Sequence, residues 1–180
     1  MDVHVIRIIE VQRQLTAIRL NHWLNEEVFA WQWWFLLAFM IISYVVLWKL
    51  LDRKRVYEIL CFGLLIAITA TILDVLGNEL TLWVYPNKLV PIIPRLIELD
   101  LASIPVAYML IYQWFPQWKR FIWALILFSA FGSFVMEPFF VWAQMYQPLT
   151  WKHIYSFPIY ILLGIVYKWV IEKIRPPGIS

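Results

Sequence analysis

Residues 28–48 read VFAWQWWFLLAFMIISYVVLW, a run without one charged side chain. About 20 apolar residues suffice for a helix to cross the hydrocarbon core of a bilayer. Trp31, Trp33, Trp34 and Trp48 bracket this run at the two levels where indole rings settle at a membrane interface. The run therefore predicts a transmembrane helix. Four further stretches meet the same criterion, at about Tyr57–Trp83, Glu98–Phe115, Phe121–Gln144 and Ile154–Val170. Charges or prolines fill each gap: Lys49 to Arg55, Pro86 to Arg95, Pro116 to Arg120, and Gln147 to His153. The expected fold is an all-α integral membrane protein with five transmembrane helices over residues 28–175.

Composition agrees. Of 180 residues, 63% are hydrophobic and 15% charged, against about 25% charged in a typical soluble domain. Mean hydropathy is +0.71. Residues 1–27 read as an N-terminal interfacial amphipathic helix, with Ile8, Val11, Leu15 and Ile18 at 3–4 spacing and Arg7, Gln14 and Asn21 elsewhere. Residues 176–180 form a short tail. No cleavable leader is expected, because Arg7, Glu10, Arg13 and Arg19 interrupt the first 28 positions. One cysteine, Cys61, excludes an intramolecular disulfide and a cysteine-based metal site. A net charge of +3 gives no reason to expect nucleic acid as a partner. The bilayer is the expected partner, and self-association stays open.

Basic residues orient the chain. Lys49, Arg53, Lys54, Arg55, Lys119, Arg120, Lys168, Lys173 and Arg175 fall on one side, and Lys88, Arg95, Lys152, Arg7, Arg13 and Arg19 on the other. The positive-inside rule then puts the C-terminus in the cytoplasm and the N-terminus outside. A bacterial cell membrane is the expected setting.

Five acids lie in or at the ends of these spans: Asp74, Glu79, Glu98, Asp100 and Glu137. A carboxylate at membrane depth costs about 2.5–3.5 kcal/mol on insertion scales, so each needs a partner or a role. With alternating span direction, all five fall in the outer half. Helical spacing joins Asp74 to a small and polar stripe through Gly77 and Asn78, and Glu137 to one through Ser129 and Ser133. Glu79 lies about 140° round from Asp74 and faces away. The candidate catalytic group is Asp74, Glu137, Asp100 and His153. Asn78, Trp83, Tyr85, Arg95, Trp142, Tyr146 and Tyr160 are candidate substrate-binding residues, with Arg95 also a salt-bridge candidate for Glu98. Helix-packing glue is the competing reading of the stripes.

A short motif recurs. Asp100-Leu-Ala-Ser-Ile-Pro105 aligns with His153-Ile-Tyr-Ser-Phe-Pro158, while Asp74 aligns with Glu137 and Trp83 with Tyr146. The spacing is that of a duplicated helical hairpin, spans two and three repeated as four and five, about an axis along the membrane normal. Pro105 and Pro158 would then kink the bundle at the pocket. Converging carboxyls and a histidine among aromatic rings suit acid–base isomerisation or cyclisation of an apolar alkene, with ring faces stabilising a carbocation. No His-x-x-x-His or Glu-x-x-His pattern lies on any span, and no glycine-rich phosphate loop or dinucleotide fingerprint is present. No metal or cofactor is expected.

Trp31-Gln-Trp-Trp, Ile72-Leu-Asp-Val-Leu-Gly, Leu82-Trp-Val-Tyr-Pro, Pro94-Arg-Leu and Tyr155-Ser-Phe-Pro-Ile-Tyr resemble an uncharacterised family of small multi-pass membrane proteins of endospore-forming Firmicutes. That resemblance implies a bacterial cell membrane and no particular activity. Asp74, Gly77, Trp83, Tyr85 and Pro86, in that order, are fainter in their similarity to membrane lycopene cyclase domains. Pro94-Arg-Leu-Ile-Glu98-Leu-Asp100 stands where those domains carry a compact acidic pair. This second resemblance implies acid chemistry on an isoprenoid. The expected function is the handling of a lipid or isoprenoid-like molecule in an outer-half acidic pocket. The alternatives are a non-catalytic lipid- or ion-binding or envelope-assembly protein, and a small proton-coupled transporter acting as a dimer.

Overall fold

The computed structural model describes residues 2–91, 96 and 98–174. Helix α1 (Val3–His22) runs into one wide π turn, Trp23–Glu27. Then come α2 (Trp31–Leu50), α3 (Val56–Glu79) and strand β1 (Trp83–Val84). A second π turn, Leu99–Ser103, leads into α4 (Ile104–Trp114). Helix α5 (Trp118–Phe131) continues through a third π turn, Gly132–Met136, into α6 (Glu137–Trp142). Strand β2 (Gln147–Pro148) and α7 (His153–Ile174) complete the order.

Among the described residues, four helices are long and apolar enough to cross a membrane: Trp31–Leu50, Arg53–Glu79, Trp118–Trp142 and His153–Ile174. The protein is thus a helical, multi-pass membrane protein. The helix from Glu98 to Trp114 is shorter than the others, and most of α4 is buried against its neighbours. Two expected boundaries move. Span two was expected to reach Trp83 and span four Gln144, but α3 stops at Glu79 and α6 at Trp142. Each stop is made by a left-handed residue, Thr81 at φ 53° and Gln144 at φ 57°, which no continuing helix accommodates.

These two turns are copies. Leu80 N–H bonds to Leu76 O, Thr81 N–H to Asn78 O and Leu82 N–H to Gly77 O, at 2.9, 3.0 and 2.9 Å. Sixty-three positions later Ala143, Gln144 and Met145 repeat those bonds to Phe139, Val141 and Phe140 at the same three lengths. The strands that follow pair antiparallel, Val84 opposite Gln147 and Trp83 opposite Pro148. Val84 faces its own counterpart 63 positions on, as a two-fold axis through the ribbon requires.

Helices α3, α4, α5 and α7 enclose an aromatic core, in which Phe62 stacks on Tyr112 at 4.4 Å and Tyr108 meets Phe128 edge-on at 5.2 Å. A second cluster, with Leu36, Leu89, Leu96, Phe140 and Tyr146, joins α2 to the ribbon end. Helix α1 buries no residue. Ile8, Val11, Leu15 and Ile18 are exposed as its apolar stripe, yet Val5, Ile6 and Ile9 are exposed on its other faces.

Candidate functional site

Asp74 sits near the C-terminal end of α3, and the reversal at Thr81 folds the chain back over it. Alternate residues of a strand point the same way, so Trp83 and Tyr85 both reach down. Trp83 Nε1 donates to Asp74 Oδ1 at 2.8 Å, and the Tyr85 hydroxyl donates to the same oxygen. Gly77 makes this possible. A Cβ there would lie 2.0 Å from the Trp83 ring, so only a bare helix surface admits the indole. Burial, with the Asp74 charge second, pushes the Tyr85 hydroxyl well above its ordinary value, which keeps it a neutral donor.

Glu137 begins α6, directly after the wide turn Gly132–Met136, with Pro138 in the first helical turn. Its Oε2 lies 2.6 Å from His153 Nδ1, and its Oε1 accepts the Tyr160 hydroxyl at 2.9 Å. His153 opens α7 and Tyr160 follows two turns later on the same face. A carboxylate held against one imidazole nitrogen fixes the orientation of the ring. Burial, with the Glu137 charge second, also raises Tyr146 above its ordinary value.

A cavity of about 260 Å³ lies between the two arrangements. Asp74, Trp83, Tyr85, Asp100, Glu137, Tyr146 and Tyr160 all line it, so seven of the residues singled out by sequence converge there. His153 joins them through Glu137. Asn78 does not; its amide donates to Trp83 O at 3.3 Å and braces the strand from behind. Trp142 is a correction. It is 75% exposed and leans on Phe139 at 5.8 Å, because five residues along a helix put it about 140° away from Glu137. Arg95, and with it the expected Arg95–Glu98 pair, lies outside the described residues. Among the described residues no group of three His, Cys, Asp or Glu side chains is placed to hold a metal ion.

Several contributors were not foreseen. Trp151 lines the cavity, packs edge-on against Trp83 at 5.0 Å and donates to Ser156 Oγ at 2.9 Å. Leu96 and Ser156 also line it. Behind the ribbon, Glu27 is 1% exposed; its Oε2 accepts the Lys88 backbone N–H at 3.0 Å, and Lys88 Nζ lies 3.6 Å from Oε1. Glu98, fully buried, accepts the Leu89 N–H at 3.3 Å. A lone acid flanking a span, as Glu27 does, carries no local signal that it will tie down a loop 61 positions away.

Comparison with protein-family models, with curated proteins and with solved structures finds no match for this chain.

Proposed function

We propose that this membrane protein binds an isoprenoid-like or other apolar lipid in the cavity between its two hairpins and acts on it by proton transfer. One observation carries the reading: a mainly apolar cavity is flanked by two carboxyls, Asp74 from one half and Glu137 from the other, each hydrogen-bonded by aromatic side chains. Glu137, coupled to His153, gives a proton to a carbon–carbon double bond. Asp74 takes one from a neighbouring carbon, so the double bond migrates or a ring closes without an oxidant. The faces of Trp83, Tyr146 and Trp151 stabilise the intervening cation.

The repeated turns and the self-paired ribbon support a duplicated hairpin, α3 with α4 and α5–α6 with α7. The helix from Glu98 to Trp114 counts as the fifth span in this reading. Its 17 residues rise about 25 Å, short of the usual length but shielded by the surrounding helices. The N-terminus lies outside and the C-terminus in the cytoplasm of a bacterial cell membrane. After replacement of Cys61, Asn87→Cys should react with an impermeant thiol reagent from outside and Lys54→Cys should not; the opposite pattern overturns the orientation.

Mass spectrometry of lipids co-purified with wild type and with Glu137→Gln tests the function. An apolar lipid enriched with the wild type, and changed in amount or in double-bond position with Glu137→Gln, is the expected result. The same unenriched lipid profile for both proteins would overturn it.

A further inference from the structure

The two-fold relation between the hairpins creates two equivalent crevices, one between α4 and α6 and one between α3 and α7. The first is closed by α2. Phe35 and Phe39 pack on Phe140 at 6.4 and 6.5 Å, Ser43 Oγ meets Ser103 Oγ at 3.0 Å, and the Tyr44 hydroxyl donates to Leu101 O at 3.0 Å. The second crevice has no such cover among the described residues. Helices α3 and α7 meet through the hydrogen bond between Thr69 and Tyr167. Outward from that point they flank the cavity with Leu73, Leu76 and Leu80 on one wall and Ile159 and Leu163 on the other. Leu76 is 52% and Leu80 66% exposed, although both line the cavity. Leu76, on membrane-spanning α3, meets acyl chains, and Leu80 stands in the reversal just beyond the helix end. At the aqueous end Trp83, Tyr85 and Tyr146, from the ribbon and the residues flanking it, also line the cavity and cap it.

Size restricts what is held. Sites that enclose a drug-sized ligand occupy about 300–1,000 Å³, and this cavity has about 260 Å³. It takes one end or one segment of a lipid, with the rest remaining in the bilayer.

We propose that the gap between α3 and α7 is a lateral portal through which a single apolar chain of a bilayer lipid threads end-first from the membrane to Asp74 and Glu137. The proposal rests on the lipid-handling reading above and adds the route and the part of the ligand that is bound. Leu76 and Leu163 determine which chains pass, because they line the cavity from α3 and from α7, each one helical turn further in than Leu80 and Ile159.

The test uses the full chain in phosphatidylcholine vesicles with two bilayer-confined diazirine probes, one on geranylgeraniol and one on palmitic acid, mapped by mass spectrometry. Wild type is expected to be labelled inside the cavity, at Gly77 and Tyr160, by at least one probe; the stronger probe identifies the chain as isoprenoid or acyl. Leu76→Trp and Leu163→Trp should each lower interior labelling by about tenfold or more, the discrimination an apolar pocket shows against a methylene-sized misfit. Labelling of Leu127, exposed on α5, should not change, which verifies insertion and folding; Leu80→Trp replaces either variant that fails this control. Interior labelling that persists in the tryptophan variants overturns the portal while lipid binding stands. No interior labelling of wild type by either probe overturns both the portal and the lipid-handling reading.

Discussion

His153 Nδ1 and Glu137 Oε2 lie 2.6 Å apart, joining the first residue of α7 to the first residue of α6 across a two-residue strand and its flanking turns. Asp74 has no histidine in the equivalent place. Among the described residues, Trp83 and Tyr85 donate to its Oδ1, so the two carboxyls occupy matched positions with different chemistry around them. That asymmetry supports the proposed division of the two carboxyls into a proton donor and a proton acceptor.

The Glu137–His153 contact should appear as a coupling energy. Glu137→Gln, His153→Gln and the double variant, compared by thermal unfolding in detergent, should give a non-additivity of about 0.5–3 kcal/mol, the range for residues in direct contact. Strict additivity would mean that the pair does not hold α6 to α7.

Gly77→Ala should dislodge Trp83 from Asp74. The new Cβ would fall 2.0 Å from the indole, and overpacking of this kind costs about 1–3 kcal/mol. Gly132→Ala is the control, since its Cβ would meet Tyr160 at 3.5 Å, an ordinary contact. Thermal melts should separate the two, with Gly77→Ala destabilised and Gly132→Ala close to wild type. Equal melting temperatures would show that the indole moves aside freely.

Thr81 and Gln144 carry left-handed backbone on residues with a Cβ. Glycine relieves strain of about 1–2 kcal/mol and adds about 0.4–1 kcal/mol of unfolded-chain entropy. Thr81→Gly should therefore raise stability, by more than Gln144→Gly does, because threonine is β-branched. A loss of stability in Thr81→Gly would show that its side chain contributes more than the turn strain removes.

Glu27 and Lys88 give a prediction with a defined pH sign. Burial lowers the Lys88 pKa from 10.5, against the opposing pull of Glu27 and with Arg19 adding to the lowering. The unfolded chain then binds more protons than the folded one between the folded pKa and 10.5, so the Lys88 contribution to stability rises with pH through that window. Lys88→Met should lose this rise relative to wild type in melts recorded from neutral to alkaline pH; parallel curves would contradict it. Glu27→Ala should be the more damaging change, about 3–5 kcal/mol, since it leaves the buried lysine without its carboxylate.

Much of this protein is written locally. Uncharged runs of about 20 residues, bounded by tryptophan and by charge, locate the spans because the bilayer imposes one length on every crossing helix. The same logic singles out Asp74, Asp100 and Glu137, since a carboxyl at that depth is conspicuous against apolar neighbours, and the 63-residue spacing of Asp74 and Glu137 is visible in the chain itself. Tertiary structure alone decided the rest. Trp142 faces away and Trp151 faces in, because which side of a helix or turn meets the cavity depends on where α7 and the ribbon are placed. Glu27 finds Lys88 only once the π turn Trp23–Glu27 docks on the ribbon loop. Above all, α2 closes one of two equivalent crevices and, among the described residues, nothing covers the other. Two related hairpins predict both crevices equally; the breaking of that symmetry is a packing choice, and no local pattern in the sequence records it.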